Sequence, residues 1–395
     1  MSILECCHQE QAISRLQRAR RAARVPHGYI FHGPEGVGKG LLARQWAKLL
    51  LCQKPVRREE VVGAEGFEDC CDICEDCHLV EVGTHPDFHI ISRQLRRILE
   101  QNISESKSPG SKEKDLEDED IQSKSRKKAS PMLELPIKVI RKYVIDQAGI
   151  FPSRGQARVF IVEEAEKMSW EAQNALLKTL EEPPANTYII LLTTKRYYFL
   201  PTIRSRSHAV GLGGLPKGFI YSKLCELGAD ERSGGFWSDF SGGRLGWAIT
   251  LWKFGVYDQK CELVARLSQL NYGSVPEFSS WLQEAAQDFG KKWLEEHPED
   301  SEGASIRRGY TFWLEMMSYI FSLALRDGVN IERGQPSGGD QEAVIGQMGA
   351  RYGSWGCSEA IRATYQAIGQ LESNVNAGLL LESLLLQYLE CTDGG

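Results

Sequence analysis

No run in this 395-residue chain approaches the roughly 18 consecutive apolar residues that a membrane helix needs, so no spanning segment is expected. The opening stretch, MSILECCHQEQAISRLQRARR, lacks the basic start and long apolar core of a secretory signal. Excess positive charge is missing too: the formal net charge is -6, which gives no global attraction to nucleic acid. Any contact with DNA must then come from a local patch. No internal repeat is found, which argues against a solenoid. A disulfide framework is disfavoured, because the eleven cysteines are an odd number and Cys70, Cys71, Cys74 and Cys77 crowd together while most others scatter. That usage suits a metal site in a reducing compartment, and the expected location is cytoplasmic.

What remains is a globular composition, 42% hydrophobic and 25% charged, on a chain long enough for two or three domains. Residues 8–24 carry Ala12, Ile13, Leu16 and Ala19 on one helical face, with the arginines largely on the others. GYIF reads as a short buried strand, and residues 41–51 as a helix. The segment 101–130 mixes both charges, has no aromatics and cannot bury enough apolar surface to offset chain entropy, so a disordered insertion is expected there. Ile137, Ile140, Val144 and Ala148 fall at helical spacing. ARVFIV (157–162) and TYIILLTT (187–194) read as buried strands, separated by a helix that Ser169 can cap and Pro183–Pro184 stop. Strand–helix alternation predicts a parallel sheet between helices. Beyond about residue 210 the patterns are helical: 217–228, 244–269, 276–296, 305–327 and 357–390.

Four groups of residues carry chemistry. In FHGPEGVGKG every fixed position of the phosphate-loop pattern G-x-x-x-x-G-K-[ST] is filled except the last: Gly33, Gly38 and Lys39 are present, and Gly40 stands where a hydroxyl would hold magnesium. Backbone N–H groups and Lys39 can bind phosphate, so ATP or ADP binding is expected to be weak and Mg2+ doubtful. Glu163 and Glu164 end the 157–162 strand, where an acidic pair can orient a magnesium-bound water and activate it. The first is Glu where Asp is usual. Cys71-x-x-Cys74-x-x-Cys77 with Cys52 supplies four thiolates, enough for a closed structural zinc site, with Cys70 as a substitute and His78 a weaker candidate. An iron–sulfur cluster or a site that has lost its metal also fits that spacing. Arg204 and Arg206, expected to follow the last strand of the sheet, can form surface ion pairs or reach a neighbour's phosphates as an arginine finger. From spacing alone the surface ion pair is the expected role.

Taken together, HGYIFHGPEGVGKG, the cysteine cluster, GTHPDFHII, VFIVEEAEKMSWEAQNALLKTLEEPP and LLTT…LPTIRSRS resemble bacterial clamp-loader subunits of DNA polymerase III. The likeness is nearer the delta-prime branch than the gamma/tau motors, and covers about residues 5–210 apart from the insertion. It implies an α/β AAA+ P-loop domain over 1–210 with a zinc-binding insertion at about 52–78. An all-α lid over 211–270 and an all-α collar over 271–395 would follow. It implies partners as well: gamma/tau and delta subunits in a hetero-pentameric ring that places a sliding clamp on primed DNA, as part of the polymerase holoenzyme. Carried over by position, Lys39 is the loop lysine, Glu163 and Glu164 (a vestigial base) the second nucleotide motif, and Thr193 or Thr194 the sensor. Cys52, Cys71, Cys74 and Cys77 become the zinc ligands. Ser205-Arg206-Ser207 matches a Ser-Arg-Cys motif, making Arg206 the finger in trans. In SGGRLGWAI, Trp247 takes the place of a lid sensor arginine, with Arg244 three residues early. The resemblance implies a stationary subunit with little or no ATPase alone. An ATP-hydrolysing motor, an iron–sulfur redox protein and a nucleotide switch acting without any clamp are the alternatives.

Overall fold

The computed structural model describes residues 3, 6–58, 67–95, 134–154, 157–328, 341–371, 373 and 375–393. The stretch expected to be disordered, 101–130, lies outside them. The chain divides into two compact units, Met1–Gly214 and Leu215–Gly395.

The first unit begins with α1 (Glu10–Arg21), β1 (Gly28–His32) and α2 (Lys39–Leu51). A short antiparallel pair follows, β2 (Val56–Arg58) and β3 (Phe67–Asp69), then α3 (Glu75–Val82) and β4 (Phe88–Ile91). Next come α4 (Ile137–Ile140), which runs on through a π-helical stretch (Arg141–Ile145), and β5 (Arg158–Val162). The unit closes with α5 (Trp170–Glu181), β6 (Thr187–Thr193), α6 (Pro201–Arg206) and β7 (His208–Gly211). Five strands form one parallel sheet in the order β4-β5-β6-β1-β7. Because side chains alternate across a strand, β5 sends Val159 and Ile161 to one face and Phe160 and Val162 to the other. Tyr29, Leu42, Trp46 and Leu49 cover the first face, and Val139, Val144, Ala172 and Leu176 the second. Burial on both sides explains why these strands read as continuous apolar runs.

Register places the functional ends side by side. His32 pairs with Thr193, and Leu191 with Val162, so the residues that follow β1, β6 and β5 gather at one edge of the sheet. In an open parallel sheet this carboxyl edge is where ligands bind. One expectation is corrected here. Arg204 and Arg206 do not follow the last strand, because β7 comes after them and pairs with β1. With only four residues, β7 was too short to stand out as a pattern.

The second unit is helical: α7 (Lys217–Glu226), α8 (Glu231–Phe240), α9 (Leu245–Phe254), α10 (Tyr257–Ser268), α11 (Val275–Glu296), α12 (Glu302–Gly328), α13 (Glu342–Leu371) and α14 (Ala377–Asp393). One buried cluster runs through it from Leu215 to Leu389. The single helix expected at 244–269 is two, because Gly255 ends α9 in the left-handed region at φ 63°. The helix expected at 357–390 is also two. Asn376 starts α14 by accepting from the N–H groups of Gly378 (3.0 Å) and Leu379 (3.3 Å). Helix α13 begins before the expected residue 357, and Gly353 (φ 63°, ψ 176°) puts a kink inside it. A Cβ on Gly349 would lie 2.5 Å from the Ala324 carbonyl oxygen, so this glycine serves close helix packing. Helix α8 was missed because of its Gly234–Gly235 pair; Asp230 caps it by accepting from Arg232 and Ser233, both at 2.9 Å.

Candidate nucleotide site, arginine helix and metal cluster

The phosphate loop joins β1 to α2. Gly33 is required sterically: a Cβ there would sit 2.4 Å from the Leu212 carbonyl oxygen. Its N–H donates to the Thr193 carbonyl at 3.3 Å, tying the loop to β6. Gly38 caps α2 in the left-handed region at φ 97°, where a side chain would strain the turn. Lys39 is folded back on its own loop and donates to the carbonyls of Gly33 (2.8 Å) and Pro34 (2.6 Å). Burial pulls its pKa down, and the carboxylates of Glu166 and Glu35 counter that pull. Gly40 has room to spare. A Cβ there meets nothing nearer than Leu192 Cδ1 at 4.0 Å, so sterics do not account for the missing hydroxyl. Positive charge gathers nearby: burial first, then Arg196, Arg15 and Lys39, lower the pKa of His32.

At the end of β5, the Glu163 N–H donates to the Ile91 carbonyl at 2.9 Å and so extends the β4–β5 pairing. Glu164 has φ 46° and ψ 43°, a left-handed conformation uncommon outside glycine. Its two carboxylate oxygens face different cations: Oε2 meets Arg93 Nε, and Oε1 meets Lys167 Nζ at 2.5 Å. Thr193 is buried, and its hydroxyl oxygen accepts from the Lys195 N–H at 2.9 Å. Thr194 donates twice to Glu166 Oε1, from its N–H at 3.2 Å and its hydroxyl at 2.8 Å. The loop, Glu163, Glu164, Thr193 and Thr194 therefore share one sheet edge.

Helix α6 ends in Arg206, whose guanidinium reaches Glu181 at 3.0 Å and the Thr202 carbonyl at 3.2 Å. The two paired side chains are 38% and 46% exposed, so the ion pair is worth well under ~1 kcal/mol and is readily exchanged. Arg204 instead lies over the Tyr197 ring, 5.6 Å from its centre. Trp247 is a core residue packed against Phe289, Trp293 and Phe312, and Arg244 lies over its ring at 5.8 Å.

The ligand atoms of Cys52, Cys71, Cys74 and Cys77 all lie within 4.8 Å of one another, close enough to hold one metal ion. Backbone N–H groups point at three of the sulfurs: Cys71 to Cys52 at 3.4 Å, Cys74 to Cys71 at 3.3 Å, and Cys77 to Cys74 at 3.4 Å. Such donors stabilise thiolates, the form a metal takes. Burial tends to raise the Cys71 thiol, but the N–H groups of Ile73 and Cys74 and the neighbouring thiols outweigh it and bring its pKa to about 7. Cys70 stands apart: its Sγ lies 3.4 Å from Asp72 Oδ1, and burial pushes it up to about 12. His78 is exposed and outside the cluster. The wall between the cluster and α2 is held by Lys48, a buried lysine paired with Asp72 (2.6 Å) and Glu81 (2.7 Å).

Sequence reasoning missed Arg93, Lys167, Glu166 and Arg196. Lys167 and Glu166 lie within the quoted motif and could have been weighed by spacing. Arg93 is 71 residues from its partner, and nothing local announces the contact.

Residues 8–215 match the profile of the family described as DNA polymerase III, delta subunit. Subunit delta' of Pseudomonas aeruginosa DNA polymerase III is 32% identical over 184 residues, covering 47% of this chain and 42% of the relative. Subunit delta' of Bacillus subtilis is 25% identical over 218 residues, 55% of this chain and 51% of the relative. Subunit gamma/tau of Mycobacterium bovis is 30% identical over 229 residues, 57% and 31% of the two chains. This chain thus spans about half or less of the length of these relatives. With more than half of its residues matched to the profile, the protein belongs to the DNA polymerase III, delta subunit family.

Proposed function

We propose that this chain is a delta-prime-type clamp-loader subunit of the bacterial replicative DNA polymerase III holoenzyme. It is a stationary AAA+ subunit whose own nucleotide site is degraded and which supplies Arg206 to the ATP of an adjoining motor subunit. One observation carries the reading. The finger arginine sits at a helix end, held only by exposed partners, while the phosphate loop lacks its magnesium-holding hydroxyl despite having space for one. The loose pair with Glu181 lets the guanidinium move to phosphate oxygens, where it would stabilise charge that develops as the terminal phosphoryl group leaves. Glu164, clamped by Arg93 and Lys167, fits a vestigial base.

Zinc is the metal we assign to Cys52, Cys71, Cys74 and Cys77. Four thiolates with N–H donors and no open ligand position suit a structural ion, which would tie the end of α2 to α3. Residues 211–270 are assigned as lid and 271–395 as collar, and the location as cytoplasmic. A gamma/tau-type motor is the second reading, favoured by the 30% identity to such a subunit. Gly40 weighs against it. Reconstitution tests the choice. The chain is expected to enter a ring with gamma/tau and delta subunits and, alone, to hydrolyse ATP slowly or not at all. Failure to enter the ring, or brisk magnesium-dependent turnover lost in Lys39→Ala, would overturn it.

A further inference from the structure

Glu166 has no part in the reading above, yet it stands at the mouth of the phosphate loop. Its position follows from topology. It lies four residues beyond Val162, the last residue of β5, and is bound to Thr194, the residue immediately after β6. One oxygen, Oε1, is fixed there by two donors of the Thr194 residue. The other, Oε2, is shut off from water and has no hydrogen-bond partner among the described residues. A carboxylate oxygen in that condition is costly unless a cation lies nearby. Lys39 is near in the fold: its Nζ donates to the Gly33 carbonyl, the Gly33 N–H donates to Thr193, and the adjoining Thr194 holds Glu166, which comes before Glu35 among the acidic groups acting on the Lys39 charge. Lys39 meanwhile donates to its own loop at 2.8 and 2.6 Å and is not extended toward a ligand.

In a phosphate loop with a working metal site, a nearby carboxylate is tolerable because magnesium stands between it and the phosphates. Gly40 removes the protein ligand that would position such an ion. A carboxylate at this mouth then repels the polyphosphate directly and competes with it for Lys39. We propose that Glu166 is a specificity-determining residue that disfavours nucleoside di- and triphosphates at this chain's own loop by standing in for a phosphate opposite Lys39. The proposal rests on the reading of the loop as a degraded nucleotide site. It adds that the site is closed by a charge as well as weakened by the missing hydroxyl.

Glu166→Gln tests it, because the amide oxygen can still accept from Thr194 while the charge is gone. Titrating a fluorescent ADP analogue into the full chain without magnesium is expected to show binding tightened on the order of tenfold over the parent. Adding Lys39→Ala to that variant is expected to abolish the gain. Equal or weaker binding by Glu166→Gln, or a gain that survives loss of Lys39, would overturn the proposal. Should Glu166→Gln not fold, as judged by its melting curve, Glu166→Ala carries the same expectation and the same contrary outcome. Ring assembly and ring ATPase are separate readouts, so failure of this inference is distinguishable from failure of the clamp-loader reading.

Discussion

At the phosphate loop, glycines and N–H groups are laid out for an anion, but the hydroxyl that would seat a metal is missing and carboxylates are clamped or turned inward. At the cysteine cluster, N–H groups again point at negative charge, and here all four ligands converge within 4.8 Å. At the loop, Gly33 has a backbone reason to be glycine apart from any nucleotide. Gly33 must be glycine to pass the Leu212 carbonyl, and its N–H is spent on Thr193. The four sulfurs lie close enough to hold one metal ion, and three of them are met by backbone N–H groups. A loop glycine can therefore be required by the backbone itself, whereas four converging thiols point to a metal.

The sharpest way to break this contrast is at Arg206, the one nucleotide-directed group that the account keeps in service. Arg206→Ala is expected to lower the ATPase of the reconstituted ring by about 10³-fold, the scale of an arginine finger, while folding and assembly are unchanged. A rate within a few-fold of the parent would remove Arg206 from the mechanism. Next in size is the metal. Cys77→Ser, or extraction by a strong chelator, is expected to release zinc and lower Tm by roughly 5–10 °C, about 2–3 kcal/mol for a unit of this size. Metal analysis and a melting curve check this, and a brown, iron-containing preparation would instead favour the redox alternative. Smaller still is Ser169→Ala. The hydroxyl accepts from the Ala172 N–H at 3.2 Å and caps α5, so its loss is expected to cost about 1 kcal/mol in denaturant unfolding. Gly40→Thr should do least to stability. Its side chain has room, and its hydroxyl is expected to make nucleotide binding magnesium-dependent without restoring turnover, because Glu164 stays clamped. Full hydrolysis by that single variant would mean that the hydroxyl alone had been lost.

Much of this was legible in the sequence wherever signals were local. The GPEGVGKG loop, the Cys71-x-x-Cys74-x-x-Cys77 spacing, the Ser169 cap and the apolar runs of β1, β5 and β6 each announce themselves within a few residues. The short strands β4 and β7 gave too few residues for a period to show. In the second unit, Gly255 ends a helix that looked continuous, and α13 begins before the expected residue 357, with a kink at Gly353 inside it. Contacts between distant segments were invisible, above all Arg93 with Glu164 and Lys48 with Glu81, because only the completed fold brings them together.

The most direct measurement is the distance from the Arg206 guanidinium to the terminal phosphate of the adjoining ATP analogue in a solved structure of the assembled ring. The account expects about 3 Å, with the Glu181 pair released. An Arg206 still bound to Glu181 and facing solvent, with no neighbouring phosphate in reach, would contradict it.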